Sequence, residues 1–502
     1  MNANLYALFA SRFPADHTAC CIETEAGALY SWNDVERASA RIANLLASLA
    51  LPPASRIAVQ VEKSPEALIL YLATVRAGHV FLPLNTGYRA AEIDYFVEDA
   101  EPAVMVCSSE HFGWMSKIAF SRGTAHVFTL GGDRTGSLLA RAATQPDTFT
   151  TVESGPDALA AVLYTSGTTG RSKGAMLSHR NLASNALTLQ RFWHWREGDV
   201  LLHALPLFHV HGLFVASHAA LMNGSKMIFL PRFDAAEVVR HLPRATVFMG
   251  VPTFYVRLLA EPTFDRTACA NIRLFISGSA PLLVDTFNGF TERTGQVILE
   301  RYGMSETIML TSNPYDGERR GGTVGMPLPE VGVRVVGAGG ATCATGEIGG
   351  IEVKGPNVFQ GYWQMPEKTA EEFRPDGWFR TGDIGRFDAD GYLSIVGRSK
   401  DLIITGGYNV YPKEIEAVID ALPGVVESAV IGVPHADFGE AVTAVVVSSA
   451  RSVLTAAGII AELKQKIANF KVPKQVHFVE DLPRNAMGKV QKNLLREKFG
   501  VG

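Results

Sequence analysis

An apolar run, Leu159 to Tyr164, opens without a break into Thr165-Ser-Gly-Thr-Thr-Gly-Arg-Ser-Lys-Gly-Ala175, and few folds tolerate such a junction. The run predicts a buried strand, and the glycines and hydroxyls after it predict a pliable polar loop. Gly167, Gly170 and Gly174 let backbone N–H groups approach an anion closely, Thr165, Ser166, Thr168 and Thr169 add hydroxyl donors, and Lys173 adds a point charge. A phosphate cradle follows from these parts, although the GxxxxGK[ST] pattern is absent: Lys173 stands three residues after Gly170 and is followed by Gly174. A Ser/Thr/Gly-rich surface loop is the alternative.

Around this junction the chain alternates strand and helix. Ser31 is placed to cap a helix with apolar positions Val35, Ala38, Ile42, Leu45 and Leu49, and the strand Arg56 to Val61 follows. Ser64 caps the next helix, Pro65 takes its first position, Ala67, Leu68, Tyr71, Leu72 and Val75 form its buried stripe, and the strand Val80 to Leu84 comes after Gly78. Such alternation predicts parallel sheets covered on both faces, hence an α/β fold. From about residue 323 the texture becomes short strands and turns, with a hairpin tip at Gly337–Gly340 and a further turn at Gly349–Gly350. Past Gly397-Arg-Ser-Lys-Asp401 a compact α+β tail begins, so a domain boundary is expected between residues 397 and 398.

At 502 residues more than one domain is expected. A net charge of −4 gives no reason to expect nucleic acid or an anionic membrane as partner, so any anion binding must be local. Five cysteines lie at no metal spacing and suggest no disulfide framework. Neither a secretory signal nor a run of membrane-spanning length is evident, so a cytoplasmic protein is the expectation.

Other segments carry candidate chemistry. Pro206-Leu-Phe-His-Val-His-Gly212 presents His209 and His211, which would share a face if extended; half a metal site, a pocket wall and plain packing are all open readings. The strands Ala245 to Gly250 and Leu274 to Ser277 end in small or turn-forming residues, the second leading into Gly278-Ser-Ala280, where a nucleotide base fits an open α/β sheet. Glu300-Arg-Tyr-Gly-Met-Ser-Glu306 offers an aromatic face, a hydroxyl and a carboxylate, the parts that stack a base and hold a phosphate-bound Mg²⁺. Asp383 follows a glycine turn and suits ribose hydroxyls, and Lys489 follows Gly488 in a basic turn that is either mobile surface or catalytic.

The ordered set YTSGTTGRSKGA, FHVHG, GSAPL, ERYGMSE, TGD, GRSKDLIITGGYNVYPKEIE and PRNAMGKVQK resembles the adenylate-forming superfamily of acyl-CoA synthetases, luciferases and adenylation domains over nearly the whole chain. The resemblance implies a large N-terminal domain, residues 1–397, with a β subdomain, and a mobile C-terminal domain, residues 398–502, hinged near Lys400. It implies ATP, Mg²⁺, coenzyme A and a small acid as reactants, and an acyl-adenylate intermediate.

Carried over residue by residue, the resemblance makes Lys489, Glu306 and Lys173 catalytic, with Glu306 and Thr168 toward the metal. It assigns ATP to Thr165, Ser166, Gly167, Thr168, Thr169, Gly170, Lys173, Gly278, Ser279, Ala280, Glu300, Arg301, Tyr302, Gly303, Ser305, Asp383, Arg398 and Lys489, with Tyr302 stacked on adenine. The pantetheine tunnel falls to His209, Gly406, Gly407 and Tyr408. Within the superfamily, HALPLFHVHGLF, MGVPTFYVRLL and LFISGSAPL are most similar to the malonyl-CoA synthetases, which implies ligation of malonate to coenzyme A; methylmalonate, another small acid or loading of a carrier protein are the alternatives. A dicarboxylate demands a buried cation. Arg257 is expected to supply it, with His211, Ser277 and Met304 shaping the pocket.

Overall fold

A computed structural model describes residues 2–165, 172–405, 408–435, 439–449, 454–485 and 488–500. Four sheets organise the chain. The first has six strands in the order His126–Thr129, Val104–Cys107, Arg56–Gln60, Val80–Pro83, Leu159–Thr165 and Lys173–Ser178, parallel throughout except for the last pair. That antiparallel edge sets Thr165 opposite Lys173, so both ends of the glycine loop are fixed by one ladder.

The second sheet has nine strands. Its parallel centre runs Leu299–Tyr302, Leu274–Ser277, Val247–Gly250, Val200–His203, Lys226–Phe229 and Cys20–Thr24. Between the two large sheets lies the helix Pro65–Arg76, capped by Ser64 with Pro65 at its start. Tyr71 stacks on His218 on one side and meets Phe81 edge-on at the other. Every residue of this helix is buried, where the sequence predicts one apolar stripe: a helix covered from both sides has no solvent face. Trp32–Ser48, with the Ser31–Asp34 capping box, keeps its polar face outward.

The third sheet is antiparallel: Gly332–Val336, Gly349–Lys354, Phe379–Phe387 and Leu393–Arg398. Gly337–Gly340 forms the expected hairpin tip, but Gly349 and Gly350 are in a strand rather than a turn. A side chain at Gly349 would sit 2.8 Å from Cys343 Sγ, so glycine serves close strand pairing there. All strands after residue 401 belong to the fourth sheet, where Val425–His435, Gly439–Ser448 and Gln475–Val479 pack on the helices Pro412–Asp420 and Ala456–Lys466. The chain then forms a helix, Lys492–Phe499, directly after the segment that the sequence reads as a basic turn. The five cysteines are free, and among the described residues no helix is long and apolar enough to cross a membrane.

Candidate active site

The carboxyl ends of the parallel strands in the nine-stranded sheet converge on one crevice, as expected for an open α/β sheet. Leu274–Ser277 delivers Ser277, whose hydroxyl is buried and unpaired among the described residues. Gly278 and Ser279 follow, the latter at φ 75° with its hydroxyl 3.2 Å from His211 Nδ1. The histidine pair is not extended: His211 opens a π-helix, His211–Ser217, so the two rings do not share an extended face. His211 is buried, its Nε2 has no described partner, and burial together with the nearby Arg301 holds its pKa well below the usual value. Among the described residues no group of three metal-ligating side chains forms, so neither histidine belongs to a metal set there.

Leu299–Tyr302 delivers the cation of the crevice. Arg301 is 2% exposed, and its Nε, Nη1 and Nη2 are all buried without a described hydrogen-bond partner. Burial lowers its pKa to about 9. Gly278 makes room for it: a β-carbon there would stand 2.5 Å from Arg301 Cζ. Buried guanidinium groups are held by acceptors in finished sites, so this one addresses an anion.

Arg257, expected in that role, is exposed on the helix Pro252–Ala260 and has no ion pair among the described residues. Its place one turn after Thr253 puts it on the helix that Gly488 approaches, 3.3 Å from Thr253 Oγ1 to a β-carbon built on that glycine. Arg301, by contrast, stands one residue before the end of the strand Leu299–Tyr302, and ligand crevices lie beyond such strand ends.

A second cluster surrounds Asp383. Tyr302 donates its phenol proton to Asp383 Oδ2 at 2.5 Å, Arg398 Nε lies 3.0 Å from Oδ1, and the Asp383 N–H donates to the Thr381 hydroxyl. Asp383 in turn raises the pKa of Arg398. Gly303 turns the chain so tightly that any side chain would strike the Ile308 carbonyl, with Met304 and Ser305 half-buried in the turn.

Glu306 is buried at the end of that turn and accepts a hydrogen bond from the Tyr362 hydroxyl at 3.0 Å; burial pushes its pKa up. Lys173 Nζ stands 4.1 Å over the Tyr362 ring and 3.6 Å from Glu372 Oε1. Tyr362, which the sequence reading misses, thus joins the expected metal carboxylate to the loop lysine. Its signal is an aromatic pair directly after Gly361.

Glu300, expected to touch ATP, accepts the Leu282 N–H at 3.1 Å on Oε1 and braces the turn that contains Ala280. Burial raises its pKa to about 7, with Lys413 from the small domain opposing the shift.

Lys489 comes from the small domain. Its N–H donates to Asn485 Oδ1, and Arg484 donates to the carbonyl of Gly488 at 2.5 Å, holding the turn. Burial and the nearby Arg398 lower its ammonium pKa to about 8, with Asp383 and Glu306 opposing and Arg301 adding to the shift. His209 is lowered to about 3 by burial, Lys489 and Arg301. Lys489, Arg398, Asp383, Glu306, Arg301 and His209 therefore share one electrostatic neighbourhood, although they come from two sheets and three connecting segments.

Of the tunnel residues, Tyr408 is exposed and stacked on Phe470 at 4.6 Å, and Gly406 and Gly407 lie outside the described residues, as do Ser166, Gly167, Thr168, Thr169 and Gly170 of the loop. Lys400 is exposed in the single turn Ser399–Asp401 between the third and fourth sheets.

Comparison with known proteins adds the following. Residues 7–363 match the AMP-binding enzyme family, and residues 414–489 match the C-terminal domain of AMP-binding enzymes. Malonate–CoA ligase of Arabidopsis thaliana is 36% identical over 477 residues, covering 89% of this chain and 78% of that protein. Feruloyl-CoA synthase of an Amycolatopsis species is 35% identical over 479 residues, covering 94% and 95%. The crystal structure of ATP-bound MatB from Rhodopseudomonas palustris superposes with a TM-score of 0.98 at 56% identity, covering 100% of this chain and 99% of that one; the apo form of the same protein gives 0.87.

Proposed function

The chain belongs to the AMP-binding enzyme family, and on that premise we propose that it ligates malonate to coenzyme A with ATP, through a malonyl-adenylate, releasing AMP and pyrophosphate. A feruloyl-CoA synthase is 35% identical, but malonate–CoA ligases recur among the relatives at up to 38% and MatB is matched at 56%, so overall likeness favours malonate. Arg301 carries the selection. A fully buried guanidinium with three unpaired nitrogens is matched by a second carboxylate; ferulate or a fatty acid would leave it uncompensated away from water.

In this reading Arg301 and His211 hold the distal carboxylate of malonate, with Ser277 beside them. The proximal carboxylate attacks the α-phosphorus and pyrophosphate leaves. Two anions must meet, and the Lys489 ammonium, brought in by the small domain, offsets the charge gathering on the transferring phosphorus. The loop from Thr165 to Lys173 holds the β- and γ-phosphates, Tyr302 packs against adenine, and Asp383 with Arg398 takes the ribose. Glu306 fits Mg²⁺: a buried carboxylate oriented by Tyr362, it would be one ligand while phosphate oxygens supply others. Bound there, the ion would neutralise phosphate charge. In the second step the coenzyme A thiol attacks the acyl carbon and AMP departs, His209 standing beside Lys489 where the two reactions share a centre.

The enzyme is read as cytoplasmic, the compartment that supplies ATP and coenzyme A, with small molecules as its partners. The test is an acid panel with ATP, Mg²⁺ and coenzyme A, read by mass: malonate, methylmalonate, acetate, propionate, ferulate and a fatty acid. Malonyl-CoA should dominate, and preference for any monocarboxylate would overturn the assignment.

A further inference from the structure

One half-buried cation serves none of the groups above. Lys63 stands between the strand Arg56–Gln60 and the helix Pro65–Arg76, and its ammonium is held by His203 rather than by a carboxylate. Its ammonium donates to the carbonyl of His203 at 2.7 Å, lies 2.9 Å from His203 Nδ1, and sits 4.3 Å from the Phe229 ring centre. Lys63 belongs to the six-stranded sheet's half of the molecule and His203 to the nine-stranded sheet, so the contact crosses between them.

The far side of His203 explains what the contact holds. Nε2 lies 3.0 Å from the Gly212 carbonyl oxygen and 3.1 Å from Ser217 Oγ. A carbonyl only accepts, so Nε2 carries the ring proton and Nδ1 is the acceptor that Lys63 fills. The Ser217 hydroxyl also donates to the Gly212 carbonyl at 2.9 Å. That carbonyl belongs to the π-helix opened by His211, and Gly212 has no slack, because a β-carbon there would stand 2.9 Å from the carbonyl carbon of Pro206 and closer still to its oxygen. His211, the residue before it, keeps Nδ1 on Ser279 and leaves Nε2 buried and unpaired in the field of Arg301.

We propose that Lys63 is a positioning residue for recognition of the substrate's second carboxylate, acting through His203 and the Gly212 carbonyl to fix His211 beside Arg301. The proposal rests on the malonate reading above. Lys63 touches no substrate; it fills Nδ1 of His203 and so holds the ring with Nε2–H on the Gly212 carbonyl, which fixes the pocket wall.

Steady-state kinetics of Lys63→Met and His203→Gln test it. Lys63→Met keeps the chain length and removes the donor; His203→Gln keeps an N–H near Nε2 and removes the Nδ1 acceptor. Each should raise the malonate KM about tenfold, the loss of one charge-assisted hydrogen bond, while the KM values for ATP and coenzyme A stay within about twofold. The double variant should lose no more than Lys63→Met alone, since both break one chain of contacts. An unchanged malonate KM, an equal rise in all three KM values, fully additive losses, or failure of both variants to fold would each overturn the proposal. Wild-type enzyme that prefers propionate to malonate in the same assay would overturn the substrate reading instead.

Discussion

Gly278 leaves the space that the Arg301 guanidinium fills: a β-carbon on Gly278 would lie 2.5 Å from Arg301 Cζ and 2.7 Å from Nε. Gly278→Ala should therefore act on the acid more than on the nucleotide. We expect the malonate KM to rise about tenfold or more, with a smaller change for ATP, measured under saturation of the other substrates.

Arg301→Met removes the buried charge outright. Activity with malonate should fall about a hundredfold in kcat/KM, the usual cost of removing one partner from a buried charged contact, and propionate should lose far less. Arg257→Ala, on an exposed side chain, should shift the malonate-to-propionate ratio much less than Arg301→Met. A larger shift for Arg257 would return the second carboxylate to that helix.

Lys489 is expected to serve the first half-reaction only. Its ammonium loses its proton as pH rises through about 8, so kcat/KM for ATP in the adenylation step, which reports the free enzyme, should fall above that pH. Thioester formation from supplied malonyl-adenylate should show no such limb. Lys489→Ala should lower adenylation about a thousandfold and leave the second step largely intact; equal loss in both steps would refute the division.

Glu300 predicts a stability signature. Its carboxyl has a higher proton affinity folded than unfolded, so the native state binds the extra proton and the stabilisation is fully present below the ordinary 4.5, then lost as pH rises through about 7. Asp420 is raised to about 7 as well, so the informative quantity is the difference between wild type and Glu300→Gln. Melting temperatures should show wild type losing ground to the variant as pH climbs through that window, and parallel curves would exclude Glu300 as the source.

Glu306→Gln keeps the Tyr362 hydrogen bond and removes the charge. It should raise the Mg²⁺ concentration for half-maximal pyrophosphate release about tenfold; an unchanged requirement would move the metal elsewhere.

Much of the scaffold is readable from residues because its signals are local. Ser31 and Ser64 cap helices through bonds spanning a few positions, and Pro65 sits where its missing N–H costs nothing. The π-helix at His211 is different. Its geometry depends on Pro206, His203 and Ser217 converging on Gly212, contacts that no periodicity encodes. The burial of Arg301 and the exposure of Arg257 are not legible either: Arg257 follows Val256 and Arg301 follows Glu300, and only the register of Ile276 and Ser277 with Leu299 and Glu300 shows which arginine comes inward. Gly349 and Gly350 resemble a turn in sequence but lie in a strand, where Gly349 relieves crowding against Val336 and Cys343, a use of glycine that needs the neighbouring strand to be known.

The division of strands at Ser399–Asp401 has one further consequence. Arg301, Glu306, Asp383 and Arg398 all precede that turn, and Lys489 follows it. The chain can therefore hold its cargo without igniting it. In the proposed division of labour, speed and choice of acid are therefore set on opposite sides of a three-residue turn, where natural variation in each can accumulate separately.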